Sequence, residues 1–468
     1  MTEIHTLSAA SLADAYAKRA LSPVEVATAL LDRIERLDGD LTSMVVIDRD
    51  MTLAMARQSE ARWRAGRSIG PLDGVPASVK DLLLMQGYVT RRGTLLTEGA
   101  APDVEDSPSV ANLKAAGCVI LGKSATTEYG WKGIGDCPLH GPTRNPWSLG
   151  HTAGGSSSGA ASAVAAGFGP LAIGTDGGGS VRIPSSFTGG VGLKATFGAV
   201  PVFPPSPFGQ VSHVGPMTRT VLDAALMLDA MSKPDPRDWF PLRADPHAGS
   251  FAAGIGQGVK GLKIAYSANL GYAKVDPEVA AAVAEGVKVF QALGAYVEAV
   301  DPGFPDPNNA FITYWTAAAA QAMSVFTPEQ RKKLDPGLQA SVARGLRYSG
   351  KDLTQSETER MALGATMARF HKQWDLLITP TMAVTALPVG KDVLVDGPDA
   401  YWTDWSPFTI PFNISRQPAL TVPCGVSKAG LPIGLQIVGA NHMDALVLRA
   451  GAAFEAARPF APSPYMAK

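Results

Sequence analysis

The sequence predicts an α/β fold with helices on both faces of a β-sheet. Three observations lead there. Segments of helical periodicity alternate with short apolar runs of strand length. Of the 468 residues 46% are hydrophobic and 18% charged, a balance that fills a large core and excludes disorder. No Pro/Ser-rich linker or charge block divides the chain, so one domain over 1–468 is expected, with N-terminal helices at 5–67, a core at 70–232, and a second half at 255–460 that completes the sheet and pocket.

The elements follow in order. Ser22-Pro23-Val24-Glu25 predicts a helix start, with Ser22 as N-cap, Pro23 in the first turn and Glu25 closing a capping box. Ala27, Leu30, Leu31, Ile34 and Leu37 then recur at helical spacing. Residues 51–67 form a second amphipathic segment, and Pro71 to Gly74 turns the chain into the run from Val75 to Leu84. Asn112 to Gly117 reads as a helix end with Gly117 just past it, and Cys118 to Leu121 as a buried strand. Ala160 to Ala166 suits a small-residue helix and Pro170 to Gly174 a short strand. Asp276-Pro277 caps a helix running to Leu293, with Gly294 ending it and Ala295 to Val300 as a strand. Leu376 to Thr379 and Ala419 to Val422 read as two more.

Composition excludes several functions. Lys plus Arg number 41 against 42 acidic residues, so no nucleic-acid partner is expected. Cys118, Cys137 and Cys424 are three, odd in number and widely spaced, which fits a reducing compartment and no zinc site. The N-terminal segment has no apolar signal-peptide core. The uncharged run 307–328 approaches the length of a bilayer span, but its Asn, Thr, Gln and Ser content and terminal prolines favour a buried helix beside a pocket. A cytoplasmic protein without membrane contact is expected.

The chemistry concentrates between Gly154 and Arg182, GGSSSGAASAVAAGFGPLAIGTDGGGSVR. Two serine clusters, Ser156 to Ser158 and Ser180, each stand beside glycines, and consecutive glycines form a nest of N–H groups facing one point. Acyl transfer needs such a nest opposite a serine hydroxyl. A flexible Gly/Ser linker would not be interrupted by helix-like and strand-like runs. Gly167, Gly169 and Ala172 match a G-x-G-x-x-A pattern, but neither a Gly-Lys-Ser/Thr nor a strand-turn-helix unit with a following acidic residue supports nucleotide binding.

GTDGGGSVRIP at 174–184, after the GGSSSG loop at 154–159, resembles the signature of the amidase signature family. GVPASVKD at 74–81, VGLKATFGAVP at 191–201, GPMTRTVLDAALMLDAM at 215–231, PALTVPCG at 418–425 and GLPIGLQIVG at 430–439 extend the resemblance over most of the chain in the right order. It implies a mixed β-sheet sandwiched between layers of α-helices. It also implies amide hydrolysis by a triad of Lys80, Ser156 and the nucleophile Ser180, with a cis bond at Gly155-Ser156 and no cofactor or metal. Neutral Lys80 would take a proton from Ser156, which takes one from Ser180; burial lowers a lysine pKa in the required direction.

The N–H groups of Gly177, Gly178, Gly179 and Ser180 are the expected oxyanion hole. Ser157, Thr175, Asp176 and Arg182 are expected to orient the loop, although a purely structural role suits Arg182 equally. Two departures from the family pattern stand out: Ser158 and Ala160 replace a looser glycine loop, and Gly177 makes three consecutive glycines. His151 and His213 are candidate bases for a Ser-His-Asp hydrolase, but Ser180 lacks a G-x-S-x-G elbow.

Tyr129, Trp131, Ile134, Phe208, Trp315, Trp402, Trp405, Phe408 and Phe412 lie around the motifs. Aromatics at such positions serve the core more often than a ligand, but several of them lining a pocket would suit an aryl or long apolar substituent. The family includes hydrolases of aliphatic and aryl amides, anilides and carbamates, and a branch that supplies ammonia for glutaminyl-tRNA synthesis with partner subunits. The expectation is a small-molecule amide hydrolase acting as a monomer or homodimer; the alternative is a component of an amidotransferase.

Overall fold

The computed structural model describes residues 3–240, 249–395, 397 and 400–468. Its centre is a mixed sheet of eleven strands. In chain order these are β1 (Met44–Ile47), β2 (Pro76–Lys80), β3 (Val119–Ser124), β4 (Leu171–Asp176), β5 (Val191–Lys194), β6 (His213–Thr218), β7 (Lys263–Tyr266), β8 (Tyr296–Ala299), β9 (Leu376–Pro380), β10 (Ala419–Val426) and β11 (Pro432–Gly439). Their spatial order is β1-β3-β2-β4-β6-β5-β10-β11-β9-β7-β8. β3, β2 and β4 run parallel, as do β9, β7 and β8, and the pairings between these two groups are antiparallel. Crossover helices between parallel strands put a helical layer on each face.

The strands alternate between two cores because successive side chains point to opposite faces. Leu376 and Ile378 enter a largely aliphatic core with Leu420, Val422, Leu435 and Ile437, while Leu377, Ala419 and Val438 face the other side. Helices Pro23–Leu37, Val221–Met231, Pro277–Ala292 and Asp444–Ala457 cover the aliphatic face. The opposite core is aromatic. Phe311 and Trp315 of helix Asn308–Ala322 meet Trp402, Trp405, Phe408 and Phe412 there, under helices Pro336–Gly345 and Gly350–Phe370.

Local signals set several boundaries. The Ser22–Glu25 capping box forms in both directions, at 3.1 and 2.7 Å, and Pro23 starts the helix. The next helix spans Arg49–Arg64 rather than 51–67, because Asp48 accepts the Met51 N–H at 2.8 Å and caps it earlier. Gly117 and Gly294 adopt φ of +85° and +87°, the left-handed conformation that ends a helix cheaply only at glycine. The uncharged run 307–328 is a helix over Asn308–Ala322 with Trp315 buried, and no helix among the described residues is long and apolar enough to cross a membrane.

Candidate active site

Lys80 ends β2, and Thr175 and Asp176 end the adjacent parallel strand β4. Carboxyl ends of parallel strands are open to loops, and two serine-bearing loops meet here. The first precedes helix Ser158–Ala165 and holds Ser156 and Ser157, with a cis bond between Gly155 and Ser156. The second carries Gly177 to Ser180 into helix Arg182–Thr188. The Ser157 N–H donates to the Ser180 carbonyl at 3.2 Å, joining the loops.

Lys80 Nζ lies 2.7 Å from Ser156 Oγ, 2.9 Å from Ser157 Oγ and 2.8 Å from Thr175 Oγ1. Burial drives its pKa well below the ordinary lysine value, and the attraction of Asp176 offsets this only in part. Ser157 Oγ donates to the Thr175 carbonyl at 3.1 Å and accepts the Thr175 N–H at 3.2 Å. Its proton is therefore committed, and towards Lys80 it acts as an acceptor. The neighbouring Asp81 does not face Lys80; its carboxylate pairs with Lys123 at 2.8 Å.

Asp176 organises the glycine loop. It accepts the Gly179 N–H at 2.8 Å, the Val181 N–H at 3.2 Å, and a two-pronged contact from Arg182 at 2.9 and 3.0 Å. Burial would raise this carboxyl, but Arg182 and the Asn413 amide outweigh it and hold it below the usual carboxylate range. The Gly179 N–H is thus already bonded, which removes it from the expected oxyanion donors. Those of Gly177, Gly178 and Ser180 have no partner among the described residues. Side chains are excluded at this loop: a Cβ on Gly177 would lie 2.8 Å from the Trp315 ring, and one on Gly178 would lie 2.7 Å from Phe311.

Ser156, Thr175, Gly177 and Ser180 line one cavity of about 210 Å³. Of the expected aromatics, Tyr129, Trp131, Phe208 and Trp315 lie on its wall. Phe208 stacks on Trp315 with centroids 3.9 Å apart, and the Trp315 indole N–H donates to the Trp131 carbonyl at 3.0 Å. Ile134, Trp402, Trp405, Phe408 and Phe412 do not reach the cavity and pack in the aromatic core behind it. Trp402 backs Trp315 at 6.1 Å, and Trp405 stacks against Phe187 at 5.9 Å. Their rings join a continuous buried cluster, which sequence proximity to the motifs does not distinguish from a pocket wall.

Sequence reasoning missed two groups. Pro201 to Pro207, leading into the expected Phe208, forms one side of the cavity, with a cis bond at Phe203-Pro204; the proline density of PVFPPSPF was the available signal. Asn413 and Gln436 bind Arg182 at 2.5 and 2.8 Å from more than 230 positions away, and no local pattern marks them. The two histidines sit elsewhere. His151 Nδ1 meets Ser148 Oγ at 2.9 Å. His213 Nδ1 faces the carbonyls of Val211 and Asp176 at 2.9 and 3.2 Å, so it carries the proton, and burial with Lys194 beside it keeps the ring neutral.

Residues 25–448 match the Amidase family. The chain is 39% identical to an acylamidase of Rhodococcus erythropolis and 34% identical to a glutamyl-tRNA(Gln) amidotransferase component of Myxococcus xanthus, each over 98% of both chains. Among solved structures, a bacterial aryl acylamidase of the amidase signature family superimposes with a TM-score of 0.92 at 31% identity, covering 100% of this chain and 99% of that one. A 6-aminohexanoate cyclic dimer hydrolase superimposes with 0.90 at 28%, covering 99% and 100%. Motif order, sheet, site and relatives agree: the chain is an enzyme of the amidase signature family.

Proposed function

We propose that the chain hydrolyses the C–N bond of aryl or apolar amides, anilides or carbamates through a Ser180 acyl-enzyme, with Lys80 and Ser156 as proton relay. The observation that carries this reading is the set of three hydroxyl oxygens within 2.9 Å of one buried lysine nitrogen. A neutral amine has two N–H donors and one lone pair. Ser157 requires one donor, Thr175 Oγ1 takes the second, and the lone pair is left for the Ser156 O–H.

Ser156 then passes its proton to Lys80 as it receives the Ser180 proton, and Ser180 Oγ bonds to the substrate carbonyl carbon. The N–H groups of Gly177, Gly178 and Ser180 are the donors for the resulting oxyanion. As the tetrahedral intermediate collapses, the C–N bond breaks and Ser156 protonates the departing nitrogen, regaining a proton from Lys80. Water repeats the sequence against the acyl-enzyme and yields the carboxylate from an amide or anilide, or from a carbamate the carbonic monoester, which breaks down to CO2 and the alcohol. The aromatic wall of Tyr129, Trp131, Phe208 and Trp315 supports an aryl or apolar substituent.

The test is a fluorophosphonate probe, followed by a panel of primary amides, anilides and aryl carbamates on wild type and Ser180→Ala. Labelling and turnover are expected in the wild type and lost in the variant; labelling that survives Ser180→Ala overturns the nucleophile. The amidotransferase relatives support a second reading, ammonia delivery to a partner. Anilide turnover by the purified chain alone favours the hydrolase, and turnover of glutamine only with a partner favours the other.

A further inference from the structure

The cavity at Ser180 touches both cores. Part of its wall is Trp131, Trp315, Met323 and Leu338, which belong to the aromatic core. Another part is Leu83, Val202 and Val214, which pack with the aliphatic core. An amide carries one substituent on carbon and one on nitrogen, and both must be seated while the carbonyl carbon faces Ser180. Two chemically distinct arms meet that need.

The aliphatic arm reaches the first turn of the helix Pro108–Ala115, at Ser107 and Ser109. Ser107 Oγ already accepts the Leu84 N–H at 2.8 Å. Ser109 is 1% exposed, yet its Oγ has no hydrogen-bond partner among the described residues. Its backbone N–H, one of the donors a helix leaves unpaired at its start, has none either. A buried hydroxyl without a partner is costly.

We propose that this arm binds a substituent that is apolar along its length and ends in a neutral hydrogen-bond acceptor, an ether, carbonyl or nitro oxygen, received by the Ser109 O–H. The acceptor is neutral because the two cations bonded to the start of this helix, Lys114 and Arg237, are already held in ion pairs. Lys114 is bonded to Asp106 at 2.8 and 2.9 Å, and Arg237 to Glu105 and Asp235 at 2.5 and 2.6 Å. Arg92, the charged side chain on the cavity wall, donates to the Thr90 carbonyl at 3.2 Å and acts on both Tyr129 and Lys123. The inference rests on the amide-hydrolase reading and adds to it which substituent the second arm selects.

The test uses matched anilide pairs, with a terminal methoxy or keto group against its alkyl isostere, placed in one series on the acyl side and in another on the amine side. In one series the wild type is expected to prefer the acceptor by roughly 3- to 10-fold in kcat/KM, the value of one neutral hydrogen bond. Ser109→Ala should bring that ratio to about one, and Ser109→Thr, which keeps a hydroxyl, should restore part of it. Each ratio is internal to one protein, so loss of folded material does not affect it. No preference in either series, or one that survives Ser109→Ala, overturns the proposal. Calorimetric binding of the same pairs to Ser180→Ala and to Ser180→Ala/Ser109→Ala separates the two readings. A Ser109-dependent preference in binding without any turnover sinks the hydrolase and leaves the arm standing, and its absence there sinks the arm.

Discussion

Arg182 holds Asp176 through two parallel hydrogen bonds, Nε to Oδ2 at 2.9 Å and Nη2 to Oδ1 at 3.0 Å, and neither side chain is accessible to solvent. The same carboxylate accepts the Gly179 N–H, so the pair fixes the loop that presents Ser180. Removing one partner of a buried pair leaves an uncompensated charge, at about 3–5 kcal/mol. Arg182→Met is therefore expected to lower the urea midpoint and turnover together. Arg182→Lys should recover little, because an ammonium cannot reproduce the planar fork. Near-wild-type stability in Arg182→Met would refute the role.

Lys80 must be neutral to act as a base, and burial lowers its pKa. A base that is protonated below its folded pKa gives a rate that rises with pH through that value and levels off above it. Lys80→Ala is expected to lose several orders of magnitude in kcat/KM. Lys80→Arg should do the same, since guanidinium stays protonated. Wild-type-like turnover by Lys80→Arg would make Lys80 a fixed charge and end the relay through Ser156.

Gly178 faces Phe311 so closely that a methyl group would force the loop or the ring to move. Displacing one oxyanion donor is worth about 10²–10³ in kcat. Gly178→Ala is expected to show that loss with KM changing far less. A KM effect with kcat intact would place Gly178 in the substrate wall instead.

Phe208 is half-buried on a loop and stacks on Trp315. An aromatic contact of this kind contributes about 0.5–1.5 kcal/mol beyond its area. Phe208→Ala should therefore reduce the kcat/KM ratio of an anilide to a short aliphatic amide by roughly 3- to 10-fold. An unchanged ratio would remove Phe208 from the selectivity wall.

Glu455, far from the site, accepts the Val221 N–H at 3.1 and 3.2 Å, and burial raises its pKa to about 7, with Asp223 adding to the effect. Between its unfolded value of about 4.3 and its folded value the folded state binds more protons. Stability should then fall as pH rises through this window, by at most roughly 4 kcal/mol. Glu455→Gln is expected to flatten that part of the profile; an unaltered slope would assign it to other groups.

Within residues 154–182 the structural signals are short-range. Glycine conformational freedom, serine hydroxyls and the capping residues of flanking helices are properties of short segments, so the α/β class, the helix starts at Ser22 and Asp276, and the serine loops were legible without any distant partner. GVPASVKD marked Lys80 only through resemblance, because a lysine in an apolar run has no local sign of being buried. What surrounds these groups was decided by the tertiary structure. Arg182 finds Asn413 and Gln436 on segments more than 230 residues away, and Trp402 and Trp405, as close to the motifs as Trp315 by composition, fall behind the wall rather than on it. Burial and contact across a sheet depend on strand order and on which face each helix covers, and the side-chain period of a single segment carries neither. The same holds for the Gly179 N–H: the sequence placed it in the nest, and only the position of the Asp176 carboxylate decided that it is already bonded.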